Sequence, residues 1–444
     1  MMFSTHRPRQ LVAPEEENAA RLFPKGGLNV EPLLNQMCIS YRFRGWDGDF
    51  STSQALKLIT EKGSTQNTTK QPKLRIGLMI MEDIEKFFPV KITESGGSYH
   101  FFHFMEMIVM AFTQLHEISL RLQNDVLSPS DWSPVVSVPW IFSPYMSPTE
   151  LCGGPRNLNC LAADYVLGSQ ASTIHFRNHE GIIGLKKMEY HKFNFTDPKD
   201  KAVDRRLELA ETAYGDGSGF TDGTDAVLII QRFGCNKAGI NKPWAEYIDS
   251  FPAAAWHASI MQSLSDVPRT SQERKKGIVV GYIDRQNTDR RLPDIHHEWI
   301  LQYLTFHRHV DFRHLHMEEY TGHQQIVIAS QCDMLIGVHG NGLTHGLWMT
   351  PHRYLIEFFY GYNYQFDYAT AGQLLQHSYL GILDGEVIDS DKVKRRDVSL
   401  RQHPTRRESR QKPKNMTLLH FEEQAKPAIK IFVELAIYEL SNHR

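Results

Sequence analysis

The 444-residue chain lacks three things that would each assign it a class at once. It has no large charge imbalance: 49 Lys and Arg stand against 51 Asp and Glu, so no overall field draws it onto nucleic acid or an anionic membrane. It has only five cysteines, at 38, 152, 160, 235 and 332, with no CxxC pair or zinc-type spacing, which excludes a structural zinc module of the familiar kinds. Cys152 and Cys160 are close enough to close a small loop in an oxidising compartment. It also lacks a long apolar run near its start: residues 1–35 hold no stretch with the length of a signal-peptide core or membrane anchor, so the sequence as written reads as a soluble chain. What remains, 41% hydrophobic and 23% charged residues, is the composition of an ordinary globular protein of about two or three domains.

Residues 1–73 are polar and Pro-containing, a poorly ordered N-terminal segment with a linker at 64–73. Structure begins at LRIGLMIM (74–81), a continuous apolar run of strand length. After Gly96 and Gly97 comes YHFFHFMEMIVMAFTQLHEI (99–118), which suits a buried helix. VVSVPWIF (135–142) and DAVLIIQRF (225–233) are further strands, with the Gly-rich stretches between them read as loops. From 277 the pattern becomes regular. GIVVGYI, HVDF, MLIGV and YLIEFF read as strands, separated by IHHEWILQYLTF, GHQQIVIASQ and GLTHGLWM as helices and followed by the helix FDYATAGQLLQ. Such alternation implies βαβ units and a parallel sheet, with ligands at the carboxyl ends of its strands. Residues 391–416 form a basic, solvated linker, and 417–444 a helical segment that Pro427 should kink or split.

The chemistry concentrates in VHGNGLTHGLWM (338–349), where a buried strand runs into a glycine turn and a helix predicted from about Leu343. Backbone N–H groups there, unobstructed at Gly340 and Gly342, suit a pyrophosphate, with a hydroxyl from Thr344. The bland reading of a lone Gly-x-Gly is a tight turn. Here the pattern is longer. VHGNGLTHGLWM with YLIEFF resembles the signature of glycosyltransferase family 61, with Asn341 where that family commonly carries Ala. GYIDRQNTDRRLPDIHHEWI (281–300) resembles the family's strand ending in arginine, with Asp284 where Ser is frequent.

The resemblance implies a GT-B fold: two Rossmann-like α/β domains with parallel sheets, residues 74–255 for the acceptor and 256–390 for the nucleotide sugar, and a C-terminal helix packing back toward the first. It implies an inverting transferase moving GlcNAc or xylose from a UDP-sugar to a glycan or glycoprotein hydroxyl in the secretory pathway. Sequons at Asn67, Asn194 and Asn415 are compatible with that compartment without deciding it. Arg285, Arg291, His339, Gly340, Asn341, Gly342, Leu343 and Thr344 would hold the donor, and Glu357 its ribose. The segment 99–106 is similar to the family's aromatic-His segment, which carries over His103 or Glu106 as the base, with His339 as the alternative. No cofactor or metal is expected, because Arg and backbone N–H groups neutralise the leaving diphosphate. Asp47-Gly-Asp49 and Asp222–Asp225 read as turns, and His296–His297 and His314–His316 lack ligands at i,i+4. A sugar-nucleotide epimerase and a catalytically silent binding module share these features and are the rival readings.

Overall fold

The computed structural model describes residues 39–43, 54–55, 57–58, 73–81, 101–124, 135–137, 140–142, 158–167, 175–177, 226–231, 250–265, 277–286, 291–360, 367–388 and 419–442. The N-terminal segment up to residue 38, both Asp-Gly turns, Cys152, the three sequons and the linker 391–416 lie outside them. Two mostly parallel sheets organise the rest, and the protein is of the mixed α/β class.

The first sheet holds β1 (Ile39–Phe43), β2 (Lys73–Met81), β3 (Val135–Ser137), β4 (Trp140–Phe142), β5 (His175–Arg177) and β6 (Ala226–Gln231). Its order is β1-β6-β2-β4-β5, with β3 also on β2, and only β1 runs antiparallel to its neighbour. VVSVPWIF, predicted as one strand, is two short ones. Helix α1 (Phe101–Asn124) has no Gly or Pro to break it and is apolar on almost every side through Leu115. Such a helix must be enclosed. Its Phe104, Met105, Ile108 and Phe112 share one apolar cluster with Ile76 and Leu78 of β2, with Val166 of α2 (Leu158–Leu167) and with Trp256 of α3 (Ala253–Ser263). Each such buried side chain contributes about 1.5–3 kcal/mol.

The second sheet comprises β7 (Ile278–Ile283), β8 (Val310–Leu315), β9 (Met334–Val338), β10 (Tyr354–Phe359), β11 (Ser378–Leu383) and the short β12 (Glu386–Val387). Its order is β8-β7-β9-β10-β11-β12, parallel except for the last pair. β7, β9 and β10 are buried along their whole length, which their apolar sequences, interrupted only by Glu357 in β10, foretell. The crossovers are α4 (Asp294–Thr305), α5 (Gly322–Ser330), a 3₁₀ helix over Asn341–Trp348 and α6 (Asp367–Leu374). Thr321 starts α5 with a reciprocal cap: its hydroxyl accepts the Gln324 N–H while the Gln324 side chain accepts that of Thr321. The helix predicted from Leu343 is therefore 3₁₀.

Alternate residues of β7 face opposite sides. Val279 and Ile283 join the α1 cluster, along with Leu343, Leu347 and Trp348 of the 3₁₀ helix. Ile278, Val280 and Tyr282 face a second cluster formed with Ile300 and Leu304 of α4 and with the C-terminal helix. That helix consists of a π turn (Phe421–Ala425) leading into α7 (Lys426–Asn442). Pro427 neither splits nor breaks it. The wider turn immediately before the proline accommodates a ring that would clash with the carbonyl four residues earlier.

One expectation is corrected here. Instead of packing back toward the first sheet, the C-terminal helix sets Phe421, Ile429, Phe432 and Val433 against β7, β9, β10 and α4 of the second. Its apolar stripe is consumed in covering a sheet face that no crossover helix other than α4 reaches among the described residues. Both sheets belong to one contact unit, Cys38–Arg444.

Candidate functional site

From β7 the chain leaves to β8 on one side and returns through α5 to β9 on the other. The carboxyl ends of β7 and β9 thus flank the topological switch point, where open parallel sheets form a crevice. Arg285 leaves the end of β7 on the Ile283 side, and its Nη1 donates to the His339 carbonyl at 3.2 Å, at the end of β9. The next residue, Gly340, has φ +153°, and a Cβ added there would lie 1.5 Å from Arg285 Nη1. Only glycine leaves room for the guanidinium. Gly342 is required for a different reason: its Cβ would sit 2.9 Å from Ile283 Cγ2, a packing constraint.

His339 is positioned by its backbone N–H, which donates to Phe358 O at 2.8 Å, and by Phe359 and Tyr368, whose rings lie 5.0 and 5.3 Å from its own. Its Nδ1 meets Glu357 Oε1 at 2.6 Å, and the Tyr379 hydroxyl donates to Glu357 Oε2 at 2.6 Å. Burial pushes the Glu357 carboxyl above its ordinary range, opposed by the hydrogen bonds from His339 and Tyr379. Sequence reasoning missed Tyr379. β10 and β11 pair Glu357 with Gly381, so Tyr379, two residues earlier, shares its face. A Cβ at Gly381 would lie 3.1 Å from the Tyr379 ring, so the glycine leaves the ring its path.

The Asn that departs from the family pattern has a definite task. Asn341 Oδ1 accepts the Phe102 N–H at 2.9 Å, satisfying an orphan donor in the first turn of α1 and tying it to the glycine turn. Phe102 also meets Tyr368 edge-on at 5.0 Å. Glu106, one helical turn on, is buried on the same face of α1. The side chain of His103 lies outside the described residues. Asn341→Ala should cost about 1 kcal/mol, the usual penalty for a lost cap, read as a lowered urea midpoint with an unchanged slope.

The remaining sequence candidates are placed differently. Thr344 is fully buried, hydrogen-bonded to Tyr368 and 3.5 Å from Asn341 Oδ1, and Leu343 packs in the core. Arg291 is exposed in the segment preceding α4. Asp284, His314 and His316 come together across β7 and β8, with one donor atom from each within 4.8 Å of the others.

His377, also missed, braces the 3₁₀ helix: Nε2–H donates to Gly346 O at 3.0 Å while Nδ1 accepts the Arg353 N–H at 3.1 Å. The bond accepted by Nδ1 requires the neutral ring. Burial foremost, and the nearby charges of Arg353 and His352, lower its pKa from 6.5 to about 4. The unfolded chain therefore takes up a proton that the folded one refuses. Stability should be level above pH 6.5 and fall between 6.5 and 4, by up to about 3 kcal/mol from this residue. Urea titrations across that range should show a shallower fall in His377→Gln.

The site thus offers a guanidinium at a glycine turn, suited to a phosphate, beside an imidazole whose tautomer a buried carboxylate sets. Among known proteins, the family described as Glycosyltransferase 61 matches residues 101–356, which include both the start of α1 and the 338–349 turn. No curated protein matches the chain.

Proposed function

Since that match covers more than half of its length, the chain belongs to glycosyltransferase family 61, and we propose that it is an inverting enzyme that transfers GlcNAc or xylose from a UDP-sugar to a hydroxyl of a glycan or glycoprotein. The observation that carries this reading is the meeting of Arg285 with His339 and Gly340 at the switch point. A diphosphate seated there receives a bidentate cation, and such charge-assisted bonds are worth about 1.5–3 kcal/mol each.

In the proposed reaction the acceptor oxygen attacks the anomeric carbon as the bond to the diphosphate oxygen breaks, and a base removes the acceptor proton. Arg285 stabilises the charge gathering on the departing UDP. His339 is the base best supported by the geometry. With Glu357 ionised, its carboxylate accepts Nδ1–H and Nε2 carries the lone pair. In this reading Glu357 orients His339 instead of touching ribose, since protein groups occupy both its oxygens. Glu106 is the competing base.

The two sheets would correspond to the acceptor and donor halves of a GT-B enzyme, at 74–255 and 256–390. Arg285 makes a divalent ion unnecessary for holding the donor. The secretory pathway is the proposed compartment, by membership of the family; no helix among the described residues is long and apolar enough to cross a membrane.

A thermal-shift screen of nucleotide sugars in EDTA, followed by assays of UDP release with and without glycan acceptors, tests the proposal. A donor at 100 times its dissociation constant should stabilise by about 2.7 kcal/mol, and UDP release should require an acceptor. Stabilisation by none of the sugars, or only after manganese is restored, would overturn it.

A further inference from the structure

The second cluster of chemistry-bearing residues lies on the other face of the sheet. Asp284 follows β7 on the side of Tyr282, away from Ile283 and Arg285, and its N–H donates to Leu315 O at 2.9 Å, extending the ladder between β7 and β8 by one residue. Tyr282 pairs with His314 in that ladder, which brings His314, and His316 just past the end of the edge strand, beside Asp284.

That carboxylate is nearly buried and held in one orientation: Oδ1 accepts the Gln286 N–H at 2.7 Å. Oδ2 lies 2.6 Å from His314 Nε2 and 3.9 Å from His297 Nε2. The rings of His314 and His316 are 4.6 Å apart. The other nitrogen of His297, Nδ1, is hydrogen-bonded to the Tyr282 hydroxyl at 2.9 Å, which anchors this imidazole beside the cluster. His314 thus sits on one oriented carboxylate oxygen, and the donor atom of His316 lies within 4.8 Å of those of Asp284 and His314.

We propose that Asp284, His314 and His316 bind one divalent transition-metal ion of the zinc type. Two imidazoles with one carboxylate select zinc or cobalt over magnesium and calcium, which require oxygen. Bonds of about 2.0–2.2 Å to tetrahedrally arranged ligands place donor atoms about 3.3 Å apart, and the three donor atoms already lie within 4.8 Å. Small rotations of the half-exposed His314 and His316 close the difference and give an ion its way in from the sheet edge. The ion would clamp edge strand β8 to β7. Spacing along the chain hides the site, because its ligands come from two adjacent parallel strands that are paired across the sheet. The inference is independent of the donor site, which lies across the sheet.

The full-length chain, stripped with chelator and dialysed, is titrated with cobalt and with zinc. One equivalent of cobalt should give tetrahedral visible bands that zinc abolishes, and zinc should raise the melting temperature. In the double variant His314→Ala, His316→Ala, affinity should fall at least about 10-fold per imidazole, since even outer-sphere partners carry that much. Its melting temperature in chelator should match that of the unsubstituted chain, which shows that it folds. Arg285→Ala should bind cobalt normally, and the double variant should bind UDP normally in chelator, so the two sites fail separately. Absence of a stoichiometric cobalt complex, or equal affinity in the double variant, would overturn the proposal. Binding abolished by Arg285→Ala would also contradict it, by moving the ion to the other face.

Discussion

His339→Ala should bind UDP as tightly as the unsubstituted enzyme and turn over about 10²–10⁴-fold more slowly, the usual contribution of a positioned general base. The same deficit is expected from Glu357→Gln, for a reason specific to this geometry. The replacement keeps an acceptor for the Tyr379 hydroxyl but turns an N–H toward His339 Nδ1, which drives the ring proton to Nε2 and removes the lone pair from the reacting side. Burial already opposes ionisation of Glu357, so the neutral amide should not lower the melting temperature. A large loss of turnover with undiminished stability is therefore the signature of the pair. Should Glu106→Gln lose turnover while His339→Ala does not, the base belongs to α1.

At the glycine turn, Arg285→Ala should weaken UDP binding by about 1.5–3 kcal/mol, roughly 10- to 150-fold, and Arg285→Lys should restore only part, since an ammonium lacks the planar fork. Gly340→Ala should be at least as damaging to affinity and should also destabilise the fold. The new Cβ and the guanidinium cannot share the space they would occupy 1.5 Å apart, and φ is +153°. The two substitutions should be non-additive. Once Arg285 is truncated the steric part of the Gly340→Ala penalty disappears and only the backbone strain, about 1–3 kcal/mol, persists. Additive effects on stability would mean that the guanidinium does not occupy that space in solution.

Much of this architecture is legible along the chain because its signals are local. The apolar runs of β7 and β9, and that of β10 interrupted only by Glu357, announce strands buried on both faces, and VHGN marks the turn after β9. What the sequence conceals depends on partners distant along the chain. Nothing near Asn341 shows that its amide caps a helix beginning at Phe101, or that Thr344 faces Tyr368 in the interior and not a ligand. That Gly342 must stay glycine because Ile283 packs beneath it is likewise invisible along the chain. The convergence of His314 and His316 on Asp284 needs the parallel register of β7 and β8, which no helical i,i+4 rule supplies. The C-terminal helix carries an apolar stripe in its sequence, but which sheet it covers is decided by the face that α4 leaves open.

The central claim is that a nucleoside diphosphate sits where β7 and β9 diverge. A crystal structure of the chain with UDP tests it most directly. The account predicts diphosphate oxygens within hydrogen-bonding distance of the Arg285 guanidinium and of backbone N–H groups in 340–342, with His339 Nε2 facing the sugar side of the cleft. A diphosphate bound elsewhere, with Arg285 still on the His339 carbonyl, would contradict it.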